Sequence, residues 1–573
     1  MTDRDRNIRL EWLALALALA FAGLVVRLVY LHLLTDETIR QSVEDKGTIV
    51  KPILTGRGRI LEGSKAGNIV ALNVGMFDLC ADPALLAKSN LTGQVASSLG
   101  TVLGVTSEEL RGRLNHPEKR FAYVARQVPD DLVHQIMDLK TPGIFTRETT
   151  LRRYPQGGTM CHALGFSNLE GVGSAGVELI ADKYLKGSEG FLESRLDGRR
   201  REMYGWRVQD IQPQEGADVY LTLDENVQYM VEMALDRAME KHRARGAWAI
   251  VQRIRTGEIL ALANRPNFDL NEFRTARPEQ MLNRAIGQVY EPGSTFKVVA
   301  IAGALNEGII TTNQIFNTEN GRWSYMGKIL RDYHPYSQLT VSDVFKKSSN
   351  IGTAKIAIQL GNERFYKYLK GFSIGHKTGV DLPGEEAGLL TPVEKWSGIS
   401  VSRIAIGQGV AVTALQMLGV ANAVANDGFL MKPYLIRRVV AKDGTVLYKG
   451  APEVMGRPIR GDTAQKMRDL MARVTEPGGT GTKGAIEGYQ VGGKTGSAQK
   501  PTAGGYSETD YMATFVGFLP VQNPEISIIV TVDEPQPFHT GGLVAAPIFK
   551  EIAEQAVRYL DISPSAQTGL AGP

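Results

Sequence analysis

The hydrophobic positions of this chain follow three successive patterns. The first is a solid block. Trp12 to Val26 are fifteen consecutive apolar or small residues, Arg27 interrupts, and Leu28-Val-Tyr-Leu31 resumes the run. Residues 12–34 are long enough to cross a hydrocarbon core of ~30 Å, which needs about 20 residues, and Arg27 can reach the interface with its long side chain. The second pattern, over 36–217, mixes short strands, glycine-rich turns and two short amphipathic helices at 109–114 and 130–139. The third begins near 218. A strand at 219–223 precedes a helix at 226–243, whose apolar residues at 227, 230, 231, 234, 235 and 238 follow helical spacing. Apolar strands at 247–254 and 258–263 read as a hairpin about Arg255-Thr-Gly257. Far downstream, 512–519 and 526–532 read as paired strands, followed by a helix at 545–560. The span between, 270–485, reads as mostly helical. An antiparallel sheet split between the two ends of a segment and flanked by helices is an α/β sandwich. The final residues, 563–573, read as a disordered tail.

The composition narrows the class. Of 573 residues, 43% are hydrophobic and 22% charged, so large cores can form, and a net charge of +4 leaves no nucleic-acid footprint. Two cysteines exclude a disulfide scaffold or a Cys-rich metal site, and whether Cys80 and Cys161 pair is left open. Arg4, Arg6 and Arg9 precede the apolar block, against Arg40 and Lys46 beyond it. The positive-inside rule then puts the N-terminus inside and the bulk of the chain outside. The block reads as an uncleaved signal anchor. A cleaved signal peptide is the alternative, but a cut at Ala20 or Ala22 would fall inside the run. A buried core helix is a second alternative.

Several short motifs carry chemistry. Ser-x-x-Lys occurs at Ser294–Lys297 and again at Ser497–Lys500. A serine becomes a nucleophile beside a base, and a lysine three residues on along a helix shares its face. Glu291-Pro-Gly293 is a turn, and 295–307 runs apolar nearly all round, so Ser294 opens a buried central helix. There the helix dipole favours developing negative charge, and burial lowers the lysine pKa. The bland alternative is a lysine that only snorkels. The second copy precedes Pro501 and is incidental. Lys-Thr-Gly also occurs twice. Lys494–Gly496 precedes the last two strands and can lie on a strand edge, whereas Lys377–Gly379 leads into a turn. Gly488 to Thr495 matches a P-loop pattern, yet Gly496 and Pro501 block the helix that a P-loop requires. Gly479-Thr-Gly-Thr-Lys-Gly484 follows a helix, not a strand, and reads as a flexible loop rather than a dinucleotide site.

Ser348-x-Asn350 lies 54 residues after Ser294 and 146 before Lys494. Ser-x-x-Lys, Ser-x-Asn and Lys-Thr-Gly in this order are the signature set of penicillin-recognising serine enzymes. The wider chain resembles class B penicillin-binding proteins. The resemblance is carried by Glu291-Pro-Gly-Ser-Thr-Phe-Lys297, Thr256-Gly-Glu-Ile-Leu-Ala261, Ile406-Gly-Gln-Gly409 with Thr413 and Gln416, Ala425-Asn-Asp-Gly428 and 541–549. In the outer module it is carried by Arg57-Gly-Arg-Ile60, Arg153-Tyr-Pro155, His162-Ala-Leu-Gly165 and Gly176-Val-Glu178. Asn350 resembles the division type, because the elongation type carries an acidic residue there. Two positions depart from the pattern. Glu62-Gly-Ser-Lys-Ala-Gly-Asn68 replaces Asp-Arg-Asn-Gly, which puts pedestal contacts in doubt, and Ser497 replaces a threonine but keeps its hydroxyl.

The resemblance implies a transpeptidase-like α/β fold with an all-helical lobe, preceded by a transmembrane helix and an α+β pedestal. The expected segments are an anchor at 1–35, a pedestal at 36–217, a transpeptidase domain at 218–562 and the tail at 563–573. It implies a peptidoglycan D,D-transpeptidase of the septal wall, acting on stem peptides with no metal or cofactor. Ser294 is then the nucleophile and Lys297 its base. Ser348 relays a proton, Asn350 binds the substrate amide and Lys297, and Lys494 supports the network. Thr495 and Ser497, flanking Gly496, hold the terminal carboxylate, and the backbone N–H groups of Ser294 and Ser497 form the oxyanion hole. β-Lactams would acylate Ser294. Implied partners are the inner membrane, a membrane-embedded glycan polymerase and other division proteins, with the catalytic domain periplasmic. The alternatives are an elongation-type relative and a non-catalytic penicillin sensor or scaffold.

Overall fold

The computed structural model describes residues 3–33, 48–53, 55–197 and 202–565. They belong to two compact units, one of 1–55 with 188–214 and the other of 56–187 with 215–573. In the first unit the helix Asp3–Leu33 carries the apolar block. Its stretch Asn7–Leu31 is long and apolar enough to cross a membrane, and Leu13, Leu17, Phe21 and Leu24 are each more than half exposed. Arg27 lies over the Tyr30 ring. The flanking Arg40 and Lys46 fall outside the described residues. The strand Gly190–Leu196 pairs antiparallel with Thr48–Ile53 and with Glu202–Ile211.

In the second unit five antiparallel strands form the sheet that carries the site. Their order is Ile259–Arg265, Gly246–Arg253, Ile526–Asp533, Gly505–Leu519, Gly492–Thr502. Both faces are covered over 246–253, 259–265, 512–519 and 526–533, so these stretches are buried and largely apolar. Side chains still alternate between faces. Trp248, Ile250, Val516 and Ile529 enter the core shared with the helical lobe. Ala249, Val251, Phe515 and Val530 enter the core under helices Glu225–His242 and Ala545–Tyr559. The Asp224 carboxylate starts the first of these helices by accepting from the N–H groups of Asn226 and Val227. Over 270–485, expected to be mostly helical, helices such as Lys297–Asn306, Asn350–Leu360 and Ala414–Ala425 are joined by long loops. Short two-stranded hairpins interrupt them, including Arg322–Tyr325 with Lys328–Arg331.

A second sheet joins residues 56–187 of this unit to those beyond 215. Ile60–Leu61 runs parallel to Asp218–Leu221, which pairs with Ile436–Val440. Residues 56–187 therefore lie in the same compact unit as 215–573, and 188–214 group with the N-terminal segment. The motif residues Arg57, Tyr154 and Glu178 meet in one buried network with Arg152 and Asp182. Arg57 and Arg152 both donate to Glu178, at 2.8 and 2.6 Å, and Arg57 also reaches Asp182. Glu178 is fully buried, and such a charge is tolerated only when paired and hydrogen-bonded. Here the network uses Arg152, whereas its motif neighbour Arg153 is exposed. The departure at Glu62 is absorbed locally. Its carboxylate accepts from Ser64, from the Asn68 N–H and from the Glu225 N–H. Cys80 and Cys161 are both buried, free thiols. Of the expected tail, 566–573 lies outside the described residues, and Ser565 is hydrogen-bonded to Gly488 and Gln490.

Candidate active site

Ser294 sits in a tight turn, Gly293–Phe296, that leads into the helix Lys297–Asn306. The helix begins two residues later than its apolar pattern suggests. Thr295 Oγ1 closes the turn on the Pro292 carbonyl at 2.8 Å. Gly293 has φ +54°, a region open to glycine at little cost. Ser294 is half-buried, while the helix behind it, Lys297 included, is buried on every side.

Lys297 and Lys494 are each fully buried. Lys297 Nζ donates to Ser348 O at 2.6 Å, Asn350 Oδ1 at 2.7 Å and Ser348 Oγ at 3.2 Å. Lys494 Nζ donates to the same Ser348 Oγ at 2.9 Å. Ser294 Oγ makes no hydrogen bond among the described residues. Burial pushes the Lys297 ammonium down to about 7, with the Asp332 charge pulling the other way. Burial, then the charge of Lys297, pushes Lys494 well below its usual value. Two cations on one hydroxyl in a buried site repel, which favours the neutral form of the amines. A neutral amine there can accept a proton from a nearby hydroxyl.

Ser348 has φ +58°, a left-handed conformation that costs a non-glycine residue roughly 1–3 kcal/mol and persists where its surroundings impose it. Asp332 braces the residues that follow Ser348. Its carboxylate accepts from Ser349 Oγ at 2.6 Å and from the N–H groups of Asn350 and Ile351 at 2.5 and 3.0 Å. It thereby neutralises the free N–H groups that start the helix Asn350–Leu360. Asn350 Nδ2 donates to the Arg331 carbonyl. Sequence reasoning missed Asp332, because nothing local links it to a helix 18 residues away.

Lys494, Thr495, Gly496 and Ser497 lie on the edge strand Gly492–Thr502. A Cβ on Gly496 would come within 2.9 Å of Thr295 Cγ2 and 3.0 Å of Pro292 O, so the strand lies against the Ser294 turn. Thr495 Oγ1 meets Thr480 Oγ1 at 2.8 Å, and Ser497 Oγ accepts from the Gly541 N–H at 2.9 Å. Thr480 is a second residue the sequence did not signal. It belongs to the glycine run 479–484, which is packed rather than flexible: a Cβ on Gly479 would lie 2.1 Å from Val474 O. Together Lys494 and the hydroxyls of Thr480, Thr495 and Ser497 form a donor-rich edge suited to a carboxylate.

The decoy motifs separate cleanly. Lys500 pairs with Asp533 and Glu534, Thr378 bonds the Glu385 carboxylate, and Lys494 continues in a strand, not the helix of a P-loop.

Comparison with known proteins agrees with this geometry. Residues 247–554 match the penicillin binding protein transpeptidase domain, and 52–221 match the penicillin-binding protein dimerisation domain. A probable peptidoglycan D,D-transpeptidase PenA of Neisseria meningitidis is 33% identical over 98% of this chain and 94% of its own length. The peptidoglycan D,D-transpeptidase FtsI of Escherichia coli is 32% identical over 96% and 91%. Among solved structures, penicillin-binding protein 3 of Mycobacterium tuberculosis, complexed with aztreonam, superposes with a TM-score of 0.70 at 27% identity, covering 90% of this chain and 98% of that one. A peptidoglycan synthetase from Bifidobacterium adolescentis gives 0.74 at 25% identity, covering 92% and 99%.

Proposed function

This chain belongs to the penicillin-binding protein transpeptidases, and from that premise we propose that it cross-links stem peptides of the septal wall through an acyl-enzyme on Ser294. It is a serine-type peptidoglycan D,D-transpeptidase of the FtsI and PenA type. In the proposed cycle Ser294 Oγ attacks the penultimate D-Ala carbonyl and passes its proton to Lys297 Nζ. The C–N bond breaks, and the proton moves by way of Ser348 Oγ to the departing D-Ala amine. An amine of a second stem peptide then attacks the ester and restores the Ser294 hydroxyl. Asn350 orients Lys297 and the substrate amide. Lys494 supports the network electrostatically, while Thr495 and Ser497 hold the terminal carboxylate beside Gly496. The N–H groups of Ser294 and Ser497 face the oxyanion, a pairing typically worth ~3–4 kcal/mol of barrier.

The observation that supports this reading best is the meeting of two buried lysines on Ser348 Oγ, at 3.2 and 2.9 Å. A purely non-catalytic scaffold would not need two buried amines converging on one hydroxyl. The helix Asp3–Leu33 fits a single-pass anchor. We assign 36–217 as the pedestal and 218–562 as the catalytic domain, on the outer face at the division site. The proposed partners are a membrane-embedded glycan polymerase and other division proteins. β-Lactams are proposed to occupy the same site as the stem peptide.

Two measurements test the proposal. Purified enzyme given stem pentapeptide and an acceptor amine should release one free D-Ala for each cross-link formed, and depletion in cells should produce filaments. No D-Ala release would contradict the acyl transfer. Rounded cells would move the enzyme to wall elongation.

A further inference from the structure

The hairpin Arg322–Tyr325 with Lys328–Arg331 is joined to the site by its last residue, whose carbonyl accepts from Asn350 Nδ2 at 2.8 Å. Its two faces differ. Trp323 stands opposite Leu330 and packs with Ile351, Ala354 and Ile406. The other face presents Arg322 directly opposite Arg331, both exposed. Like charges directly opposite across two strands destabilise the pairing. Among the described residues neither guanidinium meets an acidic partner. Asp332, next in sequence, spends both carboxylate oxygens on Ser349, Asn350 and Ile351. Glu319 is held by Lys355 Nζ at 2.7 Å. The adjoining Tyr333 is 87% exposed. Two forked cations side by side next to the Ser-x-Asn element have the donor geometry that a carboxylate takes.

We propose that Arg322 and Arg331 form a carboxylate subsite that grips the stem peptide at an acidic group other than its C-terminal carboxylate. This rests on the transpeptidase reading above, in which Thr495 and Ser497 already take the terminal carboxylate. Arg331 is itself the residue whose carbonyl meets Asn350, so in that reading a stem peptide passing Asn350 runs beside the pair. A β-lactam, which lacks the extended peptide, would not reach it.

The test compares two stem-peptide substrates that differ only in whether the internal carboxylates are free or amidated. For Arg322→Gln and Arg331→Gln, KM should rise roughly tenfold on the free substrate, with kcat unchanged. On the amidated substrate each variant should match wild type. Penicillin labelling should stay within about twofold, and Tm should hold or rise as the repulsion is relieved. Equal losses on both substrates, no loss on either, or a fall in Tm would overturn the proposal in favour of a structural role. A wild-type enzyme that takes no penicillin and releases no D-Ala would instead overturn the transpeptidase reading beneath it.

Discussion

Replacing Lys297 with alanine is expected to slow penicillin acylation by about 10⁴-fold, the upper range for a lost general base, while leaving the fold intact enough to melt cooperatively. The expectation rests on where the amine sits. It is fully buried, aimed at Ser348 and Asn350, and pushed down to about 7 by that burial. An amine of that pKa is neutral above pH 7 and protonated below it. The wild-type acylation rate should therefore rise through about pH 7 and level off above, and the alanine variant should lose this limb. Arginine should not rescue, because a guanidinium stays charged across the whole range. Asp332→Asn gives the sign a second check. The Asp332 charge favours the Lys297 ammonium, so its removal should move the limb to lower pH. Stopped-flow acylation from pH 5 to 9 reads all of these.

The second large effect is steric. Gly407 has φ +80°, and a Cβ there would lie 2.2 Å from Gly293 O and 2.5 Å from Gly293 N. Both atoms are backbone, and Gly293 N–H donates to Gly407 O. No side chain can rotate away to make room. Gly407→Ala should cost about 3 kcal/mol or more, from overpacking together with left-handed strain. It should also displace the turn that carries Ser294. Thermal melting should show a lowered Tm, and the surviving folded protein should label with penicillin far more slowly. Gly409→Ala is the control. It also has positive φ, +73°, but a Cβ there meets nothing within 4 Å, so it should show only the milder backbone strain.

Much of the site was legible because its parts are local motifs in ordered succession. The spacing of Ser294 and Lys297 encodes a helix start. The apolar runs at 247–254, 512–519 and 526–532 encode a sheet buried on both faces. What stayed hidden is carried by contacts distant in sequence. Asp332 holds Ser349 and Asn350 through one carboxylate, and no periodicity marks such a residue. Thr480 sits in a glycine run that composition alone reads as flexible, and only the packing against Val474 and Phe515 makes it rigid. The grouping of 56–187 with the catalytic residues depends on Ile60–Leu61 pairing with Asp218–Leu221, across a separation that a linear reading treats as a boundary. The substitution at Glu62 looked like a loss by pattern. The structure puts a longer carboxylate there that serves three backbone N–H groups.

The central claim is that Ser294 carries the acyl group, and peptide mass spectrometry of the penicillin-treated full-length protein tests it most directly. The account predicts one adduct of penicillin mass on the peptide containing Ser294, and none in Ser294→Ala. An adduct on any other residue, or undiminished labelling of Ser294→Ala, would contradict it.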